Sequence, residues 1–177
     1  MSREEREEGE GKANSLTFIY FGDFARCKNN MTDSEIERTG KAVPDAAFHV
    51  HTVLGPGLLE SVYEAALLVE LKKRGLQAER QAPIAVRYEG EQLEVGFRAD
   101  VLVEKSVLVE LKSVEAVTPL FKKITTNYLK LIPLKLGFLI NFNEVHLKDG
   151  ITREVNGLEG KTFFQTSQTS QSSRDTE

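Results

Sequence analysis

Three charged residues lie at the ends of two apolar runs in the middle of the chain. The segment FRADVLVEKSVLVELKSV contains two runs rich in Val and Leu; Asp100 precedes the first run, and Glu110 and Lys112 end the second. An unpaired charge is costly inside a protein, so these side chains need one another or a ligand. Two carboxylates can hold a hard cation such as Mg²⁺ or Mn²⁺. A lysine beside that cation can orient a water or stabilise charge on a phosphate, so the three residue types suit metal-assisted hydrolysis.

This chemistry requires Asp100 and Glu110 to be neighbours, and the turn between the two runs decides whether they are. A two-residue turn would place Asp100 opposite Leu111, facing away. A three-residue turn over residues 104–106 places Asp100 opposite Glu110, with Cβ atoms about 5 Å apart. Lys112 then shares their face, because side chains alternate along a strand. A slip of one residue would move every side chain to the other face, so this register is a sharp prediction. The alternative is a surface hairpin with a cross-strand ion pair, which the apolar flanking residues disfavour.

The composition indicates a globular domain and gives little indication of a partner. The chain has 177 residues, 40% of them hydrophobic and 28% charged, which suffices for one domain with a core. A net charge of −4 gives no global sign of nucleic-acid binding, although local patches matter more than the total. The single cysteine, Cys27, excludes a disulfide or a cysteine-based zinc site within one chain. No run approaches the roughly 18–20 apolar residues of a membrane span, and the N-terminus is acidic, unlike a secretory signal. We therefore expect a cytoplasmic protein without membrane contact.

Segments of biased composition flank the expected domain. Residues 1–30 begin with mostly Glu, Arg, Gly and Lys and are predicted to be a disordered N-terminal extension. The folded domain is expected over residues 31–158, and Met31 is a candidate for the natural start. Residues 159–177 are rich in Ser, Thr and Gln and are predicted to be a disordered tail.

The pattern of apolar residues predicts helices first and then an antiparallel meander of three strands. Thr32 and Glu35 have the spacing of a capping box at the start of the first helix. Pro44 lies inside that helix and favours a split into two shorter ones. Helices are predicted over about 34–54, about 58–74 and from 118 onward. Strands are predicted over 78–88, over 92–97 leading into the hairpin, over 135–142 and over 150–155.

Several motifs resemble one family, in the same order along the chain. The segment GLLESVY at 57–63 matches the motif that names the GxxExxY protein family, and the surrounding residues 51–67 are similar to it. The central hairpin and LGFLINF at 136–142 are similar to the same family, so the resemblance covers roughly residues 31–158. That family is placed in the PD-(D/E)xK nuclease superfamily. The resemblance implies an α/β fold with a restriction-endonuclease-like core: a mixed sheet with an antiparallel meander, flanked by helices.

The resemblance also implies a catalytic set. Asp100, Glu110 and Lys112 would be the catalytic trio, and Glu60 would reach the metal site from the first core helix. Asp100, Glu110 and the Leu111 carbonyl would hold Mg²⁺ or Mn²⁺, and Glu60 would bind a second or a hydrated ion. The implied activity is hydrolysis of nucleic-acid phosphodiesters, with DNA favoured over RNA and a homodimer as one expected form. The alternative for Glu60 is that the helix dipole simply favours a carboxylate in the first turn.

A basic stretch lies on the helix that follows the hairpin. Lys122, Lys123 and Lys130, with Lys135 beyond them, are expected to lack acidic partners and could contact a phosphate backbone. A solvated helix face explains the lysines equally well. The inner stripe of this helix is predicted to consist of apolar and aromatic residues: Leu120, Ile124, Tyr128 and Leu131.

The same helix departs from the family pattern. Relatives usually carry His-Glu-Ala-Gln here, with the Gln four residues before a Tyr, which resembles the Gln-x-x-x-Tyr motif of RecB-like nucleases. This chain has FKKI at 121–124 before Tyr128, and Ile124 cannot hydrogen-bond to substrate or water. Two functions therefore stay open: a metal-dependent nuclease, or an impaired nuclease fold that binds nucleic acid or a protein partner. A third interpretation is that the carboxylates form a structural network only.

Overall fold

The computed structural model describes residues 31–89, 91–132 and 134–158. The predicted extension at 1–30 and the predicted tail at 159–177 lie outside these residues. No helix in the described ranges is long and apolar enough to cross a membrane. The elements are α1 (Asp33–Leu54), α2 (Glu60–Lys73), β1 (Ala78–Tyr88), β2 (Glu91–Val103), β3 (Val107–Lys112), α3 (Pro119–Leu131), β4 (Leu136–Asn141), α4 (Leu147–Gly150) and β5 (Ile151–Val155).

A five-stranded mixed sheet forms the centre of the fold. Its strands lie in the order β1-β2-β3-β4-β5, and the first three form an antiparallel meander. Strand β4 runs parallel to β3, and β5 runs antiparallel to β4. Helix α3 makes the crossover that two parallel neighbours require. The predicted α/β architecture, with a mixed sheet and a meander flanked by helices, is confirmed.

The turn between β2 and β3 has three residues, as predicted. Val103 pairs with Val107, and the same register places Asp100 opposite Glu110. Glu104 has a φ of 49°, in the left-handed region that tight turns use. The first five residues of β3 are all buried, which rules out a surface hairpin.

Apolar layers cover both faces of the sheet. Val101 and Val109 point to one face and pack in the main core cluster with residues of α1 and α2. Leu108 points to the opposite face, where Leu129 of α3 packs closely over Gly137. A Cβ added to Gly137 would lie 3.1 Å from Leu129 and 3.4 Å from Leu108, so the helix approaches the sheet over a residue without a side chain. The central strands are therefore buried on both faces, as parallel neighbours usually are.

Helix α1 continues through Pro44, so the expected split into two helices is not observed. The proline removes the hydrogen bond to the carbonyl of Gly40 and crowds that turn. Both residues are buried, and apolar residues on either side of the proline pack into one core, which holds the helix together. The predicted capping box is confirmed: the Thr32 N–H donates to Glu35 Oε2 at 2.7 Å, and the Glu35 N–H donates to Thr32 Oγ1 at 3.3 Å.

The predicted inner stripe of α3 is wrong at both of its ends. Leu120 and Leu131 are 62% and 38% exposed, whereas Thr125 and Leu129 are buried. The hydroxyl of Thr125 donates to the Phe121 carbonyl at 3.2 Å, so this polar side chain is satisfied within the helix. A threonine paired in this way can face the sheet, and an apolar pattern does not reveal it.

Candidate active site

Charged side chains from α2, β2 and β3 meet at the ammonium group of Lys112. Its Nζ lies 3.6 Å from Glu60 Oε1, 3.5 Å from Asp100 Oδ2 and 3.8 Å from Glu110 Oε2. The side chains of Asp100 and Glu110 are 15% and 7% exposed, whereas that of Glu60 is 42% exposed. The structure therefore brings together all four residues of the predicted catalytic set.

The loop before α2 fixes Glu60 in this cluster. Gly57 has a φ of 93°, a conformation that side chains disfavour, and this accounts for a glycine in the 57–63 motif. The hydroxyl of Tyr63 donates to the Gly55 carbonyl at 2.7 Å and accepts from the Leu58 N–H at 3.0 Å. The hydroxyl of Ser113 donates to the Leu58 carbonyl at 2.6 Å, which ties the loop to the residue after Lys112.

Tyr63 is also a packing residue, as predicted. It is fully buried, and its ring stacks on Phe142 with centroids 4.5 Å apart. One side chain therefore anchors α2 in the core and holds the glycine loop in place.

Helix α2 begins at Glu60 itself, two residues later than predicted, so this carboxylate lies in the first turn.

Glu110 is a buried carboxyl that favours its neutral form. Burial, followed by the negative charge of Asp100, raises the pKa of Glu110 to about 8. Its Oε1 is buried and has no hydrogen-bond partner among the described residues. Burial also raises the pKa of Glu60, and Lys112 partly offsets that effect. The site thus holds more acid than one lysine neutralises, which favours the binding of a further cation.

Backbone groups of Leu111 also take part in the site. The Leu111 N–H donates to Asp100 Oδ2 at 2.8 Å, and the Leu111 carbonyl accepts a hydrogen bond from Lys112 Nζ. That carbonyl, which was predicted as a metal ligand, therefore faces the charged cluster, although the Leu111 side chain lies in the core.

Aromatic residues of α3 and β2 border the carboxylates. Burial raises the pKa of Tyr128, and the charges of Glu110 and Asp100 raise it further, which places its hydroxyl within their field. The Tyr128 ring packs against Phe97 with centroids 4.8 Å apart. Lys112 Nζ lies 5.8 Å from the centroid of the Phe121 ring. The prediction that Tyr128 faces inward is thus correct, and what it faces is the charged cluster.

The predicted nucleic-acid contacts lie on the outside of α3. Lys122, Lys123 and Lys130 are all exposed. Lys122 and Lys123 directly follow Phe121, so they lie within one turn of the charged cluster. Lys135 was expected to lack an acidic partner, and this is wrong: its Nζ lies 2.8 Å from an oxygen of Asp33. The contact of the three exposed lysines with a phosphate backbone stays a prediction.

Comparison with known proteins identifies the family. A family model described as the PD-(D/E)XK nuclease superfamily matches residues 37–154, which include all four residues of the charged cluster. The chain belongs to the PD-(D/E)XK nuclease superfamily. A solved structure titled "Crystal structure of SSO0001" is similar at 15% identity, with a TM-score of 0.39, over 78% of this chain and 76% of that chain. Among curated proteins, none matches the chain.

The residues present fit the metal dependence that is typical of the PD-(D/E)XK superfamily. Three carboxylates and a backbone carbonyl make a set of hard oxygen donors, the set that Mg²⁺ and Mn²⁺ prefer. Glu110 Oε1 is one possible metal ligand that makes no hydrogen bond within the described residues. No three acidic, His or Cys side chains of the described part are spaced as ready-made metal ligands. The ammonium group of Lys112 lies between the carboxylates of the cluster, so a bound ion requires this side chain to shift.

Proposed function

We propose that the chain is a metal-dependent nuclease that hydrolyses phosphodiester bonds of nucleic acid, with DNA favoured over RNA. The observation that carries the proposal is the convergence of Glu60, Asp100 and Glu110 on Lys112 in one partly buried cluster. A buried carboxylate oxygen without a partner costs stability, and a bound cation would remove that cost. The free Glu110 Oε1 therefore favours a ligand-binding role.

The proposed ligands are Asp100, Glu110 and the Leu111 carbonyl, with Glu60 for a second or a hydrated ion. Bound Mg²⁺ or Mn²⁺ supplies Lewis acidity and lowers the pKa of its water. Lys112 keeps its ammonium group beside the reacting phosphate, where it orients the attacking water and stabilises developing negative charge. Glu110 would release its proton to the solvent on binding a cation, because a ligand must be deprotonated.

Membership of the GxxExxY family within this superfamily is part of the proposal. Its support is the motif itself: Gly57 has the left-handed φ, Tyr63 clamps the loop, and Glu60 reaches the charged cluster. A cytoplasmic location and a homodimer remain predictions from the sequence.

A second candidate is a nuclease-like module that binds nucleic acid or a protein without cutting it. Ile124 favours this candidate, since it lies one turn before Tyr128 on the same side of α3 and offers no hydrogen bond. Asp100, Glu110 and Lys112 favour the enzyme, because these residue types in one cluster suit metal-assisted hydrolysis.

A cleavage assay tests the proposal. Purified protein is incubated with labelled single- and double-stranded DNA and RNA in Mn²⁺ or in EDTA, beside the variant Asp100→Asn. We expect Mn²⁺-dependent cleavage by the wild type and a loss of at least about 100-fold in the variant, as for removal of a key electrostatic group. Binding without cleavage by the wild type would favour the module. Equal cleavage by both proteins would indicate a contaminating nuclease.

A further inference from the structure

Gln81 breaks the regular geometry of β1 directly across from Asp100. The neighbouring pairs of the β1–β2 register place these two residues opposite each other, yet that pair is missing from the described ladder. Gln81 has a φ of 51°, which residues other than glycine rarely adopt inside a strand. Such a conformation persists only where the surroundings impose it, and at a functional site it often positions a side chain.

The side chain of Gln81 joins two carboxylates. Its Nε2 donates to Glu64 Oε2 at 2.6 Å and to Asp100 Oδ1 at 3.4 Å. An amide nitrogen has two hydrogens, so one residue can serve both acceptors. Glu64 is buried, lies one turn after Glu60 on α2, and pairs with Arg80 through its other oxygen. The proposed chemistry makes no use of this buried carboxylate.

These contacts hold both oxygens of Asp100. Oδ2 accepts from the Leu111 N–H at 2.8 Å, and Oδ1 accepts from Gln81. A neutral amide fixes the orientation of a carboxylate without bringing a positive charge that would compete with a metal ion. Hydrogen bonds of this kind to metal ligands set affinity, and their loss typically weakens metal binding about 10- to 100-fold.

We propose that Gln81 is a positioning residue that orients Asp100 for a divalent cation, and that Glu64 holds Gln81 in place. The proposal rests on the proposed metal-dependent function and adds a link from α2 through β1 to the metal ligand. The strained backbone of Gln81 is part of the device, because it turns the amide toward Glu64 and Asp100 together.

Isothermal titration of the EDTA-treated full chain with Mn²⁺ alone tests this role. Gln81→Leu removes the amide, and Gln81→Gly removes it while relieving the left-handed φ, so backbone strain cannot explain a loss shared by both. Each variant is expected to bind Mn²⁺ about 10- to 100-fold more weakly than the wild type. Gln77→Leu, an exposed glutamine just before β1, is the matched control and is expected to bind normally. The Asp100→Asn variant lacks one proposed ligand, so the titration heat that it loses relative to the wild type is the heat of Mn²⁺ binding at this site.

The outcomes separate the two proposals. If the wild type binds Mn²⁺ at a site lost in Asp100→Asn and both Gln81 variants bind equally well, the assignment of Gln81 is overturned and the proposed function stands. If the wild type binds no Mn²⁺, the metal-dependent function is overturned together with the assignment. Weaker binding that also appears in Gln77→Leu would attribute the effect to general destabilisation, and would overturn the assignment as well.

Discussion

At the scale of single residues, the fold changes the ionisation of Glu110, and this change matters most for the proposed chemistry. Its pKa is raised to about 8, first by burial and then by Asp100, so the metal-free site keeps a proton at neutral pH. A divalent cation has to displace that proton, because a carboxylate binds metal in its charged form. Metal loading is therefore linked to pH at this one residue.

The first prediction concerns this linkage. The affinity for Mn²⁺ is expected to rise by up to about tenfold per pH unit until the pH reaches the pKa of Glu110, and one proton should be released per ion. Isothermal titration in buffers of different ionisation enthalpy measures both quantities. An affinity that is the same at about pH 6 and about pH 8 would contradict the raised pKa of Glu110.

The second prediction concerns the stability of the metal-free protein. The pKa of Glu110 is about 8 in the folded state against an ordinary value of 4.5. Its protonated form therefore stabilises the fold at low pH, and this contribution is lost as the pH rises from 4.5 through about 8. Denaturant unfolding in EDTA should show the free energy of unfolding falling over that interval, and falling less in Glu110→Gln. Parallel pH profiles for the two proteins would refute the prediction.

Part of the site could be predicted from the sequence, and part could not. Asp100 and Glu110 were placed opposite each other because their spacing and a three-residue turn leave one workable register. No comparable pattern in the sequence indicates the contact between Glu64 and Gln81. It depends on a left-handed residue inside a strand, which interrupts the alternation on which strand prediction relies.

At the scale of elements, the loop before α2 is the part that delivers a side chain to the site. One hydroxyl, that of Tyr63, makes two hydrogen bonds to the loop, and Ser113 adds a third from the end of β3. The helix start therefore cannot move without breaking contacts to the strand that carries Lys112. This coupling positions Glu60, although Glu60 is the most exposed acid of the cluster.

The third prediction tests this loop. Tyr63→Phe keeps the stacked ring and removes the hydroxyl, so the free energy of unfolding should fall by about 1–3 kcal/mol because buried partners lose their hydrogen bonds. Cleavage should fall as well, under conditions where the variant remains folded, because Glu60 is no longer held. Chemical denaturation and the nuclease assay measure the two effects. The control is Tyr88→Phe, whose residue is 64% exposed; equal behaviour of both variants would argue against the clamp.

Prediction of the elements from the sequence succeeded where a local signal is strong. The hairpin strands contain short apolar runs, and the capping box marks the start of α1. The prediction of the inner face of α3 placed Leu120 inside, although it lies outside. Thr125 faces the sheet because its hydroxyl forms a hydrogen bond within the helix. Packing also overrode the tendency of Pro44 to break α1, and such packing between distant segments cannot be deduced from local patterns.

At the scale of the whole molecule, the charge is distributed unevenly. The chain carries a net charge of −4, yet exposed lysines lie on α3 close to the carboxylates. Lys122 and Lys123 directly follow Phe121, whose ring centroid lies 5.8 Å from Lys112 Nζ. Local positive charge of this kind can steer a polyanion although the total charge is negative.

The fourth prediction tests the lysines. Replacing Lys122 and Lys123 together by Ala should weaken DNA binding and lower the slope of log affinity against log salt by up to about 2, since each phosphate contact contributes about 0.9. Fluorescence anisotropy in Ca²⁺ at several salt concentrations measures the slope. The adjacent exposed pair Lys72 and Lys73 on α2, replaced in the same way, is the control. An unchanged slope in the α3 variant would remove these residues from the binding surface.

The most direct test of the nuclease proposal is Mn²⁺-dependent cleavage by Lys112→Ala, compared with the wild type and with Lys148→Ala, an exposed lysine of α4. Lys112 is expected to act in the chemical step, so its removal should lower the cleavage rate by at least about 100-fold. Mn²⁺ binding should be retained or strengthened, because the ammonium group now lies where the acids meet. Lys148→Ala should cleave like the wild type. Cleavage by Lys112→Ala at the wild-type rate would contradict the assignment of this cluster as the active site.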